Sequence, residues 1–402
     1  MKISKIYSVY FAFIIVFFFP SKYLEVFTVL TTLSVLLIGF TYKFVLLKVN
    51  SFVVFTVFYI LLIISVFIGM FYYGLDPIRN FTEIVRFSPI FLLFFIIKNI
   101  PESDAIKCII NIFLIYTVSN FIVSISQIAL LGFVDPITSI YGSELQTEFS
   151  LGVSSRALGL NSGPGQNGSI MAIVFIFSIS QAIINSYKYR NFITAILSFF
   201  VIVLSQSQTS FIVSLGGGLY ALVFALLFMD KNAKKKALNY IIFIIPIGLY
   251  LLIKYSEDLK YLFTLFSHGL ERNSYQARLQ KTDYILNLIF DKPIPLIFGH
   301  GKEYFGPVSG HMDNEYIFYL GVYGLLSTIM IILFYLYVLL LPYMYKFKCI
   351  KSNKFLFSLH MLVVVGVVMA WPSVFITDVR IAFIFAFVYL MFILTSKNPK
   401  MR

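Results

Sequence analysis

The arginines are the residues whose type and placement point most directly to chemistry. Of the eight arginines, six lie in or beside segments that we assign below to the outer side of a membrane, whereas 17 of the 23 lysines lie in inner segments. Membrane topology alone retains both types on the inner side, so the outward arginines need another explanation. A guanidinium group binds phosphate through two parallel hydrogen bonds, which suits a diphosphate in the outer leaflet, whereas an interfacial anchor needs only the long side chain. The six candidates are Arg79, Arg86, Arg156, Arg272, Arg278 and Arg380.

Arg79, Glu83 and Arg86 form an ionisable stripe at the start of an apolar run. Their spacing of i, i+4 and i+7 places all three on one face of a helix. Charged groups at this depth face the interior of a helix bundle or a water-filled cavity. The stripe therefore predicts either a substrate-binding face or a local ion-pair network.

The segment 155–168, SRALGLNSGPGQNG, leads directly into another apolar run. Its glycines, Gly163 and Gly165 among them, allow backbone N–H groups to converge, and the helix start near Asn167 adds partial positive charge. The segment can thus hold an anion beside Arg156. An ordinary loop-to-helix turn uses the same residue types, and this alternative stays open.

A second polar stretch carries residues that can move protons, and it ends in His311, Asp313 and Glu315 just before an apolar run. A histidine or a carboxylate at the outer mouth of a helix can deprotonate a hydroxyl group, so His311 and Asp313 are the candidate catalytic bases. Asp313 can instead cap the helix start. His300, His311 and Asp313 lack the helical spacing of a zinc site, so the sequence predicts no metal.

These residues must be positioned by helices inside a membrane. Of the 402 residues, 59% are hydrophobic and 12% are charged, and the mean hydropathy is +0.90. Soluble domains carry about a quarter charged residues, so a water-soluble fold is excluded. The net charge of +13 lies in short clusters between apolar runs and not along one face of a domain, which argues against nucleic-acid binding.

About twelve apolar runs are long enough to cross a bilayer core of roughly 30 Å. The sequence therefore predicts an all-α, polytopic integral membrane protein with a single transmembrane domain over 1–402. Two long interruptions, 132–165 and 255–313, are too polar to cross a membrane. The predicted spans are 5–20, 23–42, 51–74, 82–98, 105–131, 166–186, 190–205, 209–229, 237–254, 314–341, 354–372 and 376–396.

The basic residues orient the chain, because cytoplasmic loops retain lysine and arginine. With the N-terminus inside, the inner segments hold 19 basic and three acidic residues, a net charge of +16. The outer segments then hold 12 basic and 15 acidic residues, a net charge of −3. Both termini are thus predicted to be cytoplasmic, and both long loops, 132–165 and 255–313, to be extracytoplasmic.

Three motifs, in this order, resemble those of the O-antigen polymerase/ligase superfamily. The first is Arg-x-x-Gly-x-x-x-Gly-Pro before a span, which begins at Arg156. The second is a large outer loop with arginines and a turn of proline and glycines at 295–301, and the third is Asp-Asn-x-Tyr followed by Gly-x-x-Gly at 313–324. At 205–210, SQSQTS, the chain lacks an arginine that the family often has.

The resemblance implies a glycosyltransferase that needs no metal, nucleotide or other cofactor and acts at the outer face of the bacterial cytoplasmic (inner) membrane. Its substrate would be an undecaprenyl-diphosphate-linked oligosaccharide among the membrane lipids, and whether a chain-length regulator also binds is left open. Arg156 and Arg278, helped by Arg272, would stabilise the departing diphosphate. His311 or Asp313 would activate the acceptor hydroxyl.

The resemblance favours a polymerase of O-antigen or capsular polysaccharide and leaves two alternatives. Polymerases of the superfamily commonly have Asp-Asn where ligases have His-Asn, and this chain has Asp313 and Asn314 there, although His311 lies two residues upstream. An O-antigen ligase would use the same donor with lipid A-core as the acceptor. A polysaccharide flippase would place charged residues near the membrane midplane, whereas polar residues here concentrate at the outer face.

We expect alkaline phosphatase fused after Lys292 to be active and a fusion after Lys235 to be inactive, because the reporter needs the oxidising side of the membrane to fold. The charge distribution places 255–313 on that side. The measurement is phosphatase activity at equal expression of the two fusions. An active Lys235 fusion together with an inactive Lys292 fusion would reverse the orientation.

Overall fold

The chain is helical throughout the part that the structure describes, and no strand occurs there. Seven of the described helices are long and apolar enough to cross a membrane, and three shorter apolar helices accompany them. The predicted fold class, an all-α polytopic membrane protein, is therefore confirmed. The computed structural model describes residues 5–42, 50–75, 77–96, 100–184, 188–240, 273–305, 314–344, 354–373 and 375–396.

Short connections join the helices of the N-terminal part, which are α1 Ile6–Phe18, α2 Leu24–Tyr42, α3 Asn50–Tyr73, α4 Pro77–Ile96 and α5 Glu102–Ile128. The first long loop folds into a 3-10 turn Gly132–Val134, α6 Asp135–Tyr141, α7 Glu144–Thr147 and a π-helical turn Glu148–Val153. Three longer helices follow, α8 Pro164–Ile184, α9 Lys188–Ser205 and α10 Gln208–Phe228. The C-terminal part contains α11 Asn273–Phe290, α12 Pro293–Phe298, α13 Glu315–Phe318, a π-helical turn Tyr319–Tyr323, α14 Gly324–Met344, α15 Lys354–Ala370 and α16 Val379–Ser396.

Eleven of the twelve predicted spans coincide with described helices, and their ends differ by a few residues. The ninth, 237–254, lies mostly outside the described residues. The largest difference between a predicted and an observed end is at the start of α4. The helix begins at Pro77, whereas the predicted span begins at residue 82. Proline suits the first position of a helix, where its missing N–H has no helical partner, and the ionisable stripe is consequently helical as well.

Two helices, α8 and α16, occupy the centre of the bundle. Of their spanning residues, 89% and 83% are buried, compared with 28% in α3. Lipid tails are as apolar as these helices, so close helix contact depends on small residues and buried polar pairs. Gly217 of α10 faces Ile176 of α8 and Val365 of α15, and the hydroxyls of Ser180 and Ser358 lie 2.6 Å apart. The central helices thereby fix the polar residues at their starts.

The turn after α12 crosses the start of α14 at two glycines. Gly299 and Gly324 have φ angles of 102° and 83°, in the region that favours glycine. A Cβ atom on Gly324 would overlap the backbone of Phe298 and Gly299. Just beyond, the His300 N–H donates to the Gly321 carbonyl at 2.9 Å. The crossing therefore sets the position of the loop that continues to residue 305.

We expect Gly324→Ala to lower the free energy of unfolding by about 1–3 kcal/mol, because the new Cβ meets backbone and the φ angle is strained for alanine. Gly216→Ala is the matched control, since Gly216 lies in α10 with open space around it. Alanine there should be neutral or stabilising. The measurement is the apparent melting temperature of each purified protein in detergent, and equal values for the two variants would contradict the account of the crossing.

Candidate functional site

The Glu83 carboxylate is the centre of a buried polar network at the start of α4. Glu83 is 1% exposed. Its Oε1 atom accepts hydrogen bonds from the Lys302 Nζ at 2.6 Å and from the Arg86 Nη1 at 3.2 Å. Its Oε2 atom accepts one from the Tyr323 hydroxyl at 2.6 Å. Three chain segments far apart in sequence therefore meet at one carboxylate.

Local structure explains why Lys302 reaches Glu83. The Asn80 side chain, one turn before Glu83, accepts a hydrogen bond from the Glu303 backbone N–H at 3.0 Å. Gly69 of α3 allows the loop to come close, because a Cβ atom there would lie 2.9 Å from the carbonyl oxygen of His300. The loop consequently lies against α3 and α4 with Lys302 directed at the carboxylate.

The two cations stand in front of the carboxylate. The side chains of Arg86 and Lys302 are 16% and 20% exposed, whereas that of Glu83 is 2% exposed. The Arg86 Nε atom is buried and has no hydrogen-bond partner among the described residues. A guanidinium group has five N–H donors, so Arg86 retains donors for an anionic ligand. The arrangement presents two positive groups outward over one negative group.

An apolar crevice borders this network. It lies between α3, α4 and α14 and has an empty volume of about 610 Å³, including its open mouth. The rings of Phe58 and Phe87, two of its lining residues, contact the Tyr323 ring at centroid distances of 6.1 and 5.8 Å. Tyr323 thus has its hydroxyl in the polar network and its ring beside the crevice. The site can accommodate a ligand with an anionic head and an apolar tail.

The Arg156 segment packs against the break between α9 and α10. The Arg156 Nε donates to the Ser205 carbonyl at 3.2 Å, and the Gln206 side chain donates to the Ser155 carbonyl at 3.2 Å. Ser155 and Gln206 have positive φ angles of 48° and 47°. The first superfamily motif and the SQSQTS stretch, which the sequence presents separately, therefore form one unit.

Asn167 fixes the loop that precedes α8. Its Oδ1 atom accepts hydrogen bonds from the side chains of Asn120 at 2.7 Å and Asn161 at 2.9 Å, and all three residues are fully buried. Gly163 is half-buried and Gly165 is exposed, with open space where a Cβ would lie. The predicted helix start is present, and its buried asparagine binds protein groups.

Arg380 is fully buried at the start of α16. Its Nη2 donates to the Phe19 carbonyl at 2.7 Å, and its Nη1 donates to the Asn161 side chain and to the Leu160 carbonyl. These contacts join α16 to the end of α1 and to the loop before α8. Arg380 therefore holds three parts of the bundle together through its two Nη atoms, and its Nε atom is buried with no hydrogen-bond partner among the described residues.

A link from α8 to α16 brings the Arg156 segment towards the Glu83 network. The Gln166 Nε2 donates to the Asp378 Oδ2 at 2.7 Å, and the Gln166 Oε1 accepts from the Ser162 hydroxyl at 2.7 Å. The Asp378 carboxylate also interacts electrostatically with Arg86. The helix starts of α4, α8 and α16 consequently share one polar region.

Asn314 caps the helix that carries the third motif. Its Oδ1 accepts hydrogen bonds from the N–H groups of Tyr316 at 3.0 Å and Ile317 at 3.3 Å. The capping role that the sequence leaves open for Asp313 is thus filled by its neighbour. The next residue, Glu315, is 1% exposed, and its carboxylate accepts hydrogen bonds from backbone N–H groups at 375 and 377.

His300 is fully buried in the loop before Lys302. Its ring packs beside the contacting rings of Tyr304 and Tyr73, at centroid distances of 4.8 and 5.9 Å. Burial lowers the pKa of His300 to about 4, so the ring is neutral at physiological pH. Its geometry is that of a packing residue in the loop.

The remaining predicted site residues fall outside what the structure describes. Arg272, His311 and Asp313 lie outside the described residues, and so do the side chains of Arg79 and Arg278, whose backbones belong to α4 and α11. Of the three residues of the ionisable stripe, Glu83 and Arg86 form an ion pair in the structure.

Sequence reasoning did not select Lys302, Tyr323, Gln166 or Asp378 as site residues. Lys302 directly follows the glycine turn of the second motif, and that position is the available signal. No local pattern marks Asp378 as the partner of Gln166, since 212 residues separate them.

The fold and this site define a polytopic helical membrane protein in which, among the described residues, Glu315, Asp378 and Arg380 are buried at helix starts and Glu83 is buried within α4. Residues 193–332 match the family model described as O-Antigen ligase. Over these residues the chain is similar to that family, and the match confirms the resemblance of the motifs to the O-antigen polymerase/ligase superfamily. It covers about a third of the chain and does not include Arg156. Comparisons with curated proteins and with solved structures give no match.

We expect Glu83→Gln to lower the free energy of unfolding by about 3 kcal/mol, because it leaves two partly buried cations without their counter-charge. The variant keeps the side-chain shape, so packing is unchanged. Asp283→Asn, which neutralises an exposed carboxylate on α11, should stay within about 0.5 kcal/mol of the wild type. Melting temperatures in detergent measure both, and a Glu83→Gln variant as stable as Asp283→Asn would remove Glu83 from the centre of the account.

Proposed function

We propose that the protein is a polysaccharide polymerase that joins lipid-diphosphate-linked repeat units at the outer face of the bacterial cytoplasmic membrane. The observation that carries this proposal is the cation pair of Arg86 and Lys302, which stands over the Glu83 carboxylate and beside an apolar crevice. An anion next to an apolar chain is the chemistry of a polyprenyl diphosphate.

The diphosphate would bind in front of Arg86 and Lys302. Arg86 has a buried N–H without a protein partner, and a guanidinium group makes paired, charge-assisted hydrogen bonds to phosphate oxygens. Lys302 would add a compact charge on the same side. The first isoprene units would lie along Phe58 and Phe87 in the crevice, where burying apolar surface contributes roughly 25 cal/mol per Å².

The other predicted arginines would act around this pair. Arg156, on the loop packed against α9 and α10, would approach from the α8 side, and Arg272 and Arg278 from the second long loop. Arg79 precedes Arg86 by seven residues on α4 and would lie nearer the aqueous side. Arg380, whose head binds protein carbonyls, would position the α8 loop rather than bind phosphate.

The reaction transfers a glycosyl group. The acceptor hydroxyl oxygen would attack the anomeric carbon of the growing chain, and the new C–O bond would form as the bond from that carbon to the diphosphate oxygen breaks. The electron pair would leave with the diphosphate, where Arg86 and Lys302 would stabilise the negative charge. The hydroxyl proton would pass to His311 or Asp313. Because Asn314 caps α13, Asp313 is not needed for that structural role.

A ligase that transfers polymer to lipid A-core is the second candidate, because the matching family model is described as O-Antigen ligase. The pair Asp313 and Asn314 supports the polymerase, since the resemblance associates this dipeptide with polymerases. A flippase fits less well, because the buried carboxylates Glu315 and Asp378 of the described part lie at helix starts. The membrane partner of the polymerase would be its lipid-linked oligosaccharide, with a chain-length regulator as a further partner to test.

We expect Arg86→Ala and Lys302→Ala each to reduce polymer by at least about tenfold, because the leaving diphosphate loses a cation that stabilises it. Arg86→Lys should restore activity only in part, since lysine cannot form the paired hydrogen bonds. The assay is polymer on undecaprenyl diphosphate in a host strain that lacks lipid A-core, which also separates polymerase from ligase.

Arg190→Ala is the control, because Arg190 is an exposed arginine at the opposite end of α9 from Ser205. It should polymerise at the wild-type rate. If the well-folded Arg86→Ala and Lys302→Ala variants also polymerise at that rate, the diphosphate binds elsewhere. If the wild type makes no polymer without lipid A-core but modifies lipid A-core when it is present, the protein is a ligase.

A further inference from the structure

Trp371 is the only tryptophan of the chain, and it lies at the end of α15 with 67% of its surface exposed. Its ring centroid is 6.4 Å from that of Tyr316, at an interplanar angle of 50°. Tyr316 belongs to the third motif, two residues after the capping Asn314. An exposed indole and a half-buried phenol therefore stand beside the segment that contains the candidate base Asp313.

Two consecutive residues of α13 hold Trp371 from both sides. The Tyr316 hydroxyl donates to the Val367 carbonyl at 2.8 Å, one helical turn before Trp371. The Glu315 carboxylate accepts a hydrogen bond from the Phe375 N–H at 2.7 Å, four residues after Trp371. The backbone on either side of Trp371 is thus held against α13, and the indole lies beside the Tyr316 ring. An aromatic residue that only anchors a protein at the bilayer interface needs no such fixed partners.

The connection from Trp371 to α16 is polar on its inner side. The Ser373 hydroxyl lies 3.4 Å from the Ser169 hydroxyl of α8, and Asp378 accepts from Gln166 at 2.7 Å. The connection that follows Trp371 therefore makes polar contacts with α8. A sugar ring suits this surface, because its C–H groups meet the electron-rich face of an indole while its hydroxyls reach polar neighbours.

We propose that Trp371 and Tyr316 form an aromatic platform that binds the saccharide of the acceptor repeat unit, with Glu315 as the residue that positions it. The proposal rests on the proposed function for the identity of the saccharide. α13 carries both the platform contacts and the capping Asn314, which directly follows the candidate base Asp313 in the sequence. Glu315 touches no substrate and acts only through the connection that follows Trp371.

The single tryptophan allows a direct binding test that needs no catalysis. The purified protein, in nanodiscs of phosphatidylethanolamine and phosphatidylglycerol, is titrated with the repeat-unit oligosaccharide released by mild acid from the polymer of its own host. We expect a saturable change in tryptophan emission and a reduced quenching by acrylamide. Maltotetraose, an unrelated oligosaccharide, should cause neither. An unchanged emission, together with strong quenching by brominated lipid, would show that Trp371 is a bilayer anchor and would overturn the proposal.

Kinetic variants test the same platform through the acceptor. Trp371→Leu should raise the KM for purified lipid-linked repeat units about tenfold with little change in kcat, and Trp371→Phe should restore much of the affinity because it keeps an aromatic face. Phe133→Leu is the matched control, since Phe133 is 65% exposed in the 3-10 turn Gly132–Val134 and lies in no proposed site. Equal KM values for Trp371→Leu and Phe133→Leu would refute the platform.

Glu315→Gln separates positioning from folding. We expect it to raise the KM in the same sense as Trp371→Leu and to increase hydrogen exchange of the amides at 375 and 377, while the rest of the protein keeps wild-type exchange. Unchanged KM and exchange would exclude the positioning role. A tryptophan response to the oligosaccharide in a protein that transfers no glycosyl group would refute the proposed function and leave the saccharide site standing. Glycosyl transfer without any tryptophan response would refute the saccharide site and leave the proposed function standing.

Discussion

The site depends on one buried carboxylate. Arg86 and Lys302 repel each other as two positive charges. They lie close together only because the Glu83 carboxylate accepts hydrogen bonds from both. Leaving a partly buried charge uncompensated costs several kcal/mol, so both cations depend on Glu83 to stay in this position. The glycine crossing at Gly299 and the hydrogen bond from the Glu303 N–H to the Asn80 side chain position the loop. Lys302 consequently reaches the Glu83 carboxylate. Glu83 accepts hydrogen bonds from both cations, and the Asp378 carboxylate interacts electrostatically with Arg86 as well.

A second set of contacts gives the site its extent. Gln166 and Asp378 tie the start of α8 to that of α16, and Glu315 ties α13 to the connection before α16. The first and third superfamily motifs are far apart in sequence. The connection between α15 and α16, which belongs to neither motif, contacts the segments that carry both. Of the residues in this polar region, Lys302, Glu315 and Tyr323 lie within the family match, and the apolar crevice lies beside Tyr323.

The spans could be predicted from sequence because bilayer thickness fixes their length and the absence of water fixes their composition. The spacing of Glu83 and Arg86 likewise gave their common face. The partner Lys302 could not be found this way, since helical periodicity states which face a residue occupies and not what lies opposite it. The same limit applies to Asn314, because aspartate and asparagine cap helices about equally well and sequence alone does not choose between neighbours. The sequence places Arg380 in the same group as the other outward arginines. Only its hydrogen bonds to backbone carbonyls show that it joins parts of the bundle.

The central claim is that Arg86 and Lys302, held by Glu83, recognise a lipid-linked diphosphate. Native mass spectrometry of the purified protein with undecaprenyl diphosphate and with undecaprenol measures this directly, because the two lipids differ only in the diphosphate. The account predicts that the wild type and Arg190→Gln bind the diphosphate lipid at least about tenfold more tightly, and that Arg86→Gln and Lys302→Gln lose this preference. A folded Arg86→Gln, Lys302→Gln double variant that keeps the wild-type preference would contradict it.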